Sequence, residues 1–190
     1  MPEQPLLPGL VPPPTDRLFF ALFPDTPARE GAGRVAESLR GSCGLTARAL
    51  PARRLHVTLH HVGDFAGLPV EMLARAQAAG DAVRHAAFPI RFDRAGSFLR
   101  RRRTLPLVLR GGGHVIPIIA FQHLLGEALR RQGFHPPSSY TPHMTLLYDA
   151  RYVAARAVTA VEWTARDFVL VRSFIGRSKY EILGRWPLAA

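Results

Sequence analysis

Two short segments of the sequence place a histidine two residues before a threonine, and in each a leucine follows the threonine directly. The first is His56-Val57-Thr58-Leu59 and the second is His143-Met144-Thr145-Leu146. Both lie within apolar runs that are typical of β-strands. Since successive side chains of a strand point to opposite faces, each segment presents an imidazole and a hydroxyl on one face, roughly 7 Å apart.

The residues around these segments indicate which face of each strand is buried. The face opposite the histidines carries apolar side chains in both segments, so we expect it to be the core face. Its members are Leu55, Val57 and Leu59 in the first strand and Met144 and Leu146 in the second. Strict alternation also puts His60 on the face of His56 and Thr58, where we expect it at the rim of the site. It puts His61 on the opposite face.

Two facing imidazoles and two hydroxyls suit the cleavage of a phosphodiester without a metal ion. A neutral imidazole removes a proton from the attacking hydroxyl or water, and a protonated one gives a proton to the leaving oxygen. Histidine serves both roles because its ordinary pKa is near 6.5. Threonine hydroxyls can hold the non-bridging phosphate oxygens. One such histidine would be an ordinary packed side chain; the pair favours function.

The remaining pattern predicts the elements that must position these residues. The first helix should begin with Thr26 as N-cap and Pro27 at its first position, and end at Gly41 or Gly44. The predicted strands cover residues 17–24, 54–62, 88–99, 104–111, 143–149, 167–176 and 180–188, with a further short one at 45–50; the predicted helices cover 25–44, 68–87 and 116–134.

This order predicts an α+β fold with two related lobes. Each motif strand follows a helix and a proline-containing connection, which is a weak internal repeat. We expect two antiparallel sheets, flanked by helices, around a central cleft. Residues 15–190 would form one bilobal domain, and residues 1–14, rich in proline, a flexible tail. Cys43 is the single cysteine, so no intrachain disulfide can form, which suits a cytoplasmic protein.

The chain carries a formal charge of +11, from 24 arginines and one lysine against 14 acidic residues. Such an excess favours polyanionic partners, above all nucleic acid. No apolar run is long enough to span a bilayer, so we expect no membrane partner. His56 and His60 are too far apart along a strand to bind one metal ion, and no nearby acidic residue or cysteine completes a ligand set. We therefore predict neither a metal nor a cofactor.

The paired motifs resemble those of the 2H phosphoesterase superfamily. The surrounding segments resemble its RNA 2′,3′-cyclic phosphodiesterase branch, also called 2′-5′ RNA ligases. The segments that carry the resemblance are "RLFFALFP", "LHVTLHHVG", "GFHPPSSYTPHMTL" and "YEILGRWPL". They extend over nearly the whole chain after the tail.

The resemblance implies a pseudo-symmetric fold in which each lobe contributes one motif strand to the cleft. It also implies hydrolysis of RNA 2′,3′-cyclic phosphate ends to a 2′-phosphate, with reverse 2′-5′ joining in some members. By the resemblance His56 would be the general acid and His143 the general base, while Thr58 and Thr145 would hold the phosphate. Many relatives carry an arginine three residues after the second threonine, where this chain has Tyr148. That departure puts one substrate contact in doubt.

Further candidates for substrate contact are Tyr140, in the loop before His143, and the arginines Arg53, Arg54 and Arg102. Arg102 belongs to the run Arg100–Arg103, which we predict at a hairpin tip. Tyr140 could stack on a base, and guanidinium groups bind phosphates.

We expect the enzyme to act as a monomer on RNA ends. Two alternatives remain open: a phosphodiesterase for 2′-5′ linked oligonucleotides or small nucleotide cyclic phosphates, and an RNA-binding module without turnover. The first keeps the histidines in the same roles and changes the substrate. The second makes the basic surface the function, and it does not explain why both imidazoles are present.

Overall fold

The structure is a computed structural model that describes residues 12–99 and 103–189. It is an α+β fold, as the sequence predicts. Most of the predicted tail and the candidate Arg102 lie outside the described residues. In chain order the strands are β1 (Asp16–Leu22), β2 (Val57–Phe65), β3 (Phe88–Ser97), β4 (Leu105–Arg110), β5 (Met144–Asp149), β6 (Arg156–Ala165), β7 (Asp167–Phe174) and β8 (Lys179–Pro187); the α-helices are α1 (Thr26–Cys43), α2 (Val70–Asp81) and α3 (Ile116–Arg131), with short 3₁₀ helices at Ala52–Arg54 and Gly113–Val115.

The strands pair in the order β6-β3-β4-β5-β2-β1-β7-β8, so both motif strands lie at the centre. Four strands lie on each side of the boundary between β5 and β2. The halves meet between β2 and β5, where the register among the described residues consists of Val57 paired with Met144. The two predicted sheets are therefore joined at their centre into one. The units β1-α1-β2 and β4-α3-β5 confirm the predicted repeat of strand, helix and motif strand.

Strand β6 was missing from the sequence prediction. It pairs antiparallel with β3 along most of its length. Its second half alternates between buried and more exposed residues, with Val161, Trp163 and Ala165 buried. That alternation is the signal that could have identified the strand.

Asp25, and not Thr26, caps the first helix. Its carboxylate accepts a hydrogen bond from the amide of Ala28, at 2.9 Å. A carboxylate one residue earlier in the chain satisfies an amide of the first turn and suits the positive end of the helix dipole. At the other end Gly44 has φ +59°, the left-handed conformation that glycine adopts without steric cost.

Two other boundaries differ from the prediction. Residues 45–50 form no strand, because the carboxylate of Asp149 accepts the amides of Thr46 and Ala47, at 2.9 and 2.8 Å. Helix α2 ends at Asp81 because the backbone beyond it pairs with the end of the chain: Ala87 donates to Ala189, and Ala189 donates to His85.

The three α-helices pack into the larger apolar core, α1 against β6, α2 against β8 and α3 against β3. A second, smaller cluster of buried apolar residues lies apart from that core: Phe19, Ala21, Val169 and Val171. Phe19 contacts the ring of His56, so this small cluster lies under the motif residues. We call the sheet face that carries Phe19 and His56 the cleft face. None of the helices in the described part of the chain is long and apolar enough to cross a membrane.

Candidate active site

The pair Val57 and Met144 fixes how the two motifs face each other. Both side chains are completely buried, on the core side of the sheet. Continuing the antiparallel register by one residue in each direction sets His56 opposite Thr145 and His143 opposite Thr58. All four side chains are half-buried. The two histidines are then diagonal neighbours with backbones about 7–8 Å apart.

Both imidazoles are oriented by the same kind of hydrogen bond. Nδ1 of His56 lies 2.7 Å from the carbonyl oxygen of Arg54, and Nδ1 of His143 lies 2.8 Å from that of Thr141. Each acceptor is the carbonyl two residues earlier in the chain. Since a carbonyl only accepts, each Nδ1 carries the proton, and each neutral ring has its lone pair on Nε2. The pseudo-symmetry of the lobes therefore extends to the hydrogen bonds that orient the two rings.

The ring of His56 lies among three aromatic side chains. Its centroid is 5.1 Å from that of Phe19, 5.9 Å from that of Phe23 and 5.7 Å from that of Tyr180. Burial lowers the pKa of His56 to about 4; the bond to the Arg54 carbonyl opposes this shift, and the charges of Arg54 and His143 add to it. Phe98, at the end of β3, contacts the ring of His143 edge-on at 4.9 Å.

A β-bulge follows the motif threonine in both strands. In β2, Thr58 pairs with Ala21 and His60 with Phe20, which leaves Leu59 as the extra residue. In β5, Thr145 pairs with Val108 and Leu147 with Leu107, which leaves Leu146 as the extra residue. The extra residue shifts the alternation of side chains by one position. Positions four residues after each motif histidine therefore turn into the core.

The bulge makes the prediction for His60 wrong. His60 is buried against α3, with Nε2 2.7 Å from the carbonyl oxygen of Gln122. The side-chain amide of Gln122 lies 3.4 Å from Nδ1. Burial lowers the pKa of His60, and the neutral ring is bonded at both nitrogens. It is His61 that turns to the exposed face, where Nε2 lies 2.9 Å from the carboxylate of Asp64.

Tyr148 occupies in β5 the position that His61 occupies in β2, and it is 51% exposed. It lies close enough to Arg17 to interact electrostatically. Tyr140 is half-buried, and its hydroxyl donates to the carbonyl of Thr58 at 3.0 Å. The loop before the second motif is thereby bonded to the first motif strand. Burial raises the pKa of the Tyr140 hydroxyl, which stays a donor.

Arg53 and Arg54 lie in the 3₁₀ helix directly before His56. The guanidinium of Arg54 lies over the ring of Tyr180, 5.2 Å from its centroid, and one of its nitrogens donates to Ser178 at 3.2 Å. Both arginines line a cavity of about 790 Å³ beside His56. Sequence reasoning missed Phe23 and Phe98 beside the two imidazoles. Their only signal was an aromatic residue at the end of a predicted strand.

The described residues contain no group of three or more histidine, cysteine or acidic side chains arranged to hold a metal ion. Their arrangement around the motifs supports acid–base chemistry: two imidazoles, each oriented through Nδ1, and two hydroxyls on the same face. This set can hold a tetrahedral oxyanion while one ring accepts and the other donates a proton.

A model of the 2′-5′ RNA ligase superfamily matches residues 23–174. A comparison with curated proteins finds no match. Among solved structures, E. coli LigT in complex with 3′-AMP is 27% identical, with a TM-score of 0.70 over 93% of this chain and 99% of that one. E. coli LigT in complex with phosphate is 25% identical, with a TM-score of 0.66 over 94% and 100%.

A third structure, TT0787 of Thermus thermophilus, is 24% identical, with a TM-score of 0.67 over 90% of this chain and 97% of that one. This likeness concerns the fold.

Proposed function

This chain belongs to the 2′-5′ RNA ligase superfamily, a family that processes phosphodiesters, and we propose that it hydrolyses 2′,3′-cyclic phosphate ends of RNA to 2′-phosphates. The observation that carries the proposal is the pair of imidazoles, each bonded through Nδ1 to the carbonyl two residues before it. Two imidazoles that are oriented in the same way, with two hydroxyls on the same face, are what metal-independent cleavage of a phosphodiester needs.

In the proposed reaction water attacks the phosphorus, and Nε2 of His143 takes its proton. The bond between phosphorus and the 3′ oxygen breaks, and His56 gives a proton to that oxygen. The product keeps the phosphate on the 2′ oxygen. The hydroxyls of Thr58 and Thr145 hold the non-bridging oxygens, whose negative charge builds up in the transition state. The same sequence, with a 5′ hydroxyl in place of water as the attacking group, would join two RNA ends by a 2′-5′ bond.

The acid role of His56 requires that it take up a proton when substrate binds. Its pKa near 4 leaves the ring neutral at pH 7 while the site is empty. A cyclic phosphate carries a negative charge, and an anion in contact with an imidazole favours the charged form of the ring. The bond from Nδ1 to the Arg54 carbonyl also favours the protonated ring. Substrate binding should therefore prepare His56 for its role.

The ligands of a neighbour support the substrate class. E. coli LigT has been solved with 3′-AMP and with phosphate, so a protein of this fold binds a nucleotide and its phosphate group. The net charge of +11 supports a polyanion such as RNA over an uncharged substrate.

The test is hydrolysis of a short RNA that ends in a 2′,3′-cyclic phosphate, with EDTA present, between pH 5 and pH 9. The proteins compared are wild type, His56→Ala, His143→Ala and, as a matched control, His61→Ala, whose ring is exposed on β2. We expect a 2′-phosphate product. We expect the rate of hydrolysis to fall at least about 100-fold in His56→Ala and in His143→Ala, but not in His61→Ala.

Turnover that survives both motif substitutions would contradict the proposal. A folded wild type without turnover would also do so, and 2′-5′ linked oligonucleotides would then be the next substrates to test. RNA binding without turnover of either substrate would leave the binding module as the function.

A further inference from the structure

A strongly basic cavity adjoins the proposed active site on the side of His56. Its volume is about 790 Å³. Arg54, Tyr180 and Phe23 line it, and each of these also touches His56. The cavity therefore lies next to the proposed active site. The seven basic side chains of its lining are Arg29, Arg53, Arg54, Arg166, Arg177, Lys179 and Arg185.

The two carboxylates of the cavity do not balance this charge. Asp25 accepts the amide of Ala28 at the start of α1. Asp167 is bonded to Arg185 at 2.5 Å. Six of the seven basic side chains thus have no ion pair with a carboxylate of the lining. Such a concentration of one sign of charge attracts a polyanion and raises its rate of association.

Apolar side chains also line the cavity, among them Phe23, Tyr180 and Ile182. Tyr180 is half-buried, with the guanidinium of Arg54 fixed over its ring, and Ile182 is 42% exposed. Lys179 and Arg185 lie six residues apart on β8, a span of about 20 Å. The basic lining is therefore longer than a single nucleotide. Aromatic side chains beside a row of cations are typical of sites that bind single-stranded nucleic acid.

The proposed reaction decides which part of an RNA would enter the cavity. Attacking and leaving oxygens lie on opposite sides of the phosphorus in an in-line displacement. The leaving 3′ oxygen belongs to the last ribose, and that ribose carries the rest of the chain through its 5′ carbon. With His56 on the leaving side, the body of the RNA lies on the side of His56, where the cavity opens.

We propose that this cavity is a binding site for the RNA backbone upstream of the cyclic phosphate, so that the enzyme prefers oligonucleotides to mononucleotides. The inference rests on the proposed function and extends it to the nucleotides before the reacting end. Arg166 and Arg177 are two of the five exposed basic residues of the lining, and we expect them to contact upstream phosphates. Neither touches the motif residues, which separates binding of the chain from the chemistry.

The test compares two substrates: a hexaribonucleotide that ends in a 2′,3′-cyclic phosphate, and a nucleoside 2′,3′-cyclic phosphate. The variant is Arg166→Gln/Arg177→Gln. The control is Arg34→Gln/Arg131→Gln, which removes the same charge from exposed positions on α1 and α3. We expect the ratio of kcat/KM for the hexamer to kcat/KM for the mononucleotide to fall about tenfold in the cavity variant and to stay within about twofold in the control.

A second measurement keeps the inference separate from the proposed reaction. It is the Kd of a hexaribonucleotide that ends in a 2′-phosphate, measured by fluorescence anisotropy across salt concentrations. We expect binding at least about fivefold weaker in the cavity variant than in the control, and a salt dependence lower by about 0.7 in log–log slope for each lost phosphate contact.

These outcomes separate the two proposals. If wild type turns over neither substrate, the proposed reaction fails and the Kd measurement alone decides about the cavity. If the cavity variant and its control behave alike in the substrate ratio and in Kd, the upstream site is overturned even when turnover is normal. A wild type that does not bind the hexamer overturns it as well.

Discussion

Val57 of β2 is paired with Met144 of β5, and this pair joins the two halves of the sheet at its centre. Both side chains are completely buried on the core side. A slip of one residue would turn the apolar side chains of one motif strand toward the cleft and its motif histidine into the core, so the buried face determines the register. The arrangement of the two motifs therefore follows from burial on the face that does no chemistry.

The bulge after Thr58 predicts that His60 and His61 differ sharply in their contribution to stability. His60→Ala removes a buried ring and leaves the amide of Gln122 without its partner, so the free energy of unfolding should fall by about 2–4 kcal/mol. His61→Ala removes an exposed contact to Asp64 and should cost at most about 1 kcal/mol. Urea unfolding of both variants measures the difference.

Each of these variants is the control for the other. Strict alternation along the strand predicts the opposite result, with the larger loss of stability in His61→Ala. A larger loss in His61→Ala would show that β2 has no bulge at Leu59. Equal losses would show that neither ring is packed as described.

The same bulge explains what the sequence could and could not reveal. Alternation of apolar and polar residues correctly placed Val57 and Thr58 on opposite faces, and it held as far as Leu59. One extra residue then reversed the pattern, and nothing in a run of apolar residues and histidines marks where a bulge lies. The strict alternation predicted for His60 failed for this reason.

The residues that line the site could not be predicted from the sequence for a related reason. His56 and His143 stand out in the sequence because their motif is repeated. Phe23 and Tyr180 approach His56 from β1 and β8, over separations in sequence that no local pattern encodes. The fold class and most elements follow from periodicity and from caps such as Gly44. Contacts between distant elements require the three-dimensional register of the strands.

The hydrogen bond from Tyr140 to Thr58 predicts a positioning role for this tyrosine. Tyr140→Phe keeps the ring and removes the donor, so the Thr58 carbonyl loses its partner. We expect the free energy of unfolding to fall by about 1 kcal/mol. For the cyclic phosphate substrate we expect kcat to fall about fivefold with KM nearly unchanged, because the loop before His143 is less well held.

Tyr152→Phe is the matched control, since the side chain of Tyr152 is 51% exposed. It should change the free energy of unfolding by less than about 0.5 kcal/mol. A rise in KM without a change in kcat in Tyr140→Phe would instead mean that the hydroxyl contacts substrate. No change in stability or turnover would remove the positioning role.

The two Nδ1 contacts predict the same tautomer for both motif histidines. At pH 8 the neutral rings of His56 and His143 should carry their proton on Nδ1, because each faces a carbonyl oxygen. Imidazole in water favours the Nε2 tautomer, so the result is not the default. Long-range proton–nitrogen NMR correlation on protein labelled with ¹⁵N distinguishes the two forms directly. His60 is an internal reference, because its Nε2 faces the carbonyl of Gln122 and should carry the proton. An Nε2 proton on His56 or His143 would show that its ring is not oriented as described.

The low pKa of His56 predicts that the empty protein loses stability as the solution is acidified. Its folded-state pKa of about 4 lies below the ordinary value of 6.5, so the unfolded chain takes up the proton first. The contribution is fully present above pH 6.5 and is lost between pH 6.5 and 4. For His56 alone the loss amounts to about 3 kcal/mol at most. The free energy of unfolding of His56→Asn should fall less than that of the wild type over this range of pH. The two decreases should differ by up to about 3 kcal/mol.

Urea unfolding at half-unit steps of pH measures this, with a constant m value as evidence that the same transition is followed. Bound inorganic phosphate supplies the second arm, because an anion beside His56 favours its protonated form. Phosphate should therefore stabilise the wild type more at pH 5 than at pH 8. This difference between the two pH values should be larger in the wild type than in His56→Asn. Identical slopes for the two proteins would mean that burial does not hold the ring neutral, and His56 could then serve as the acid without waiting for substrate.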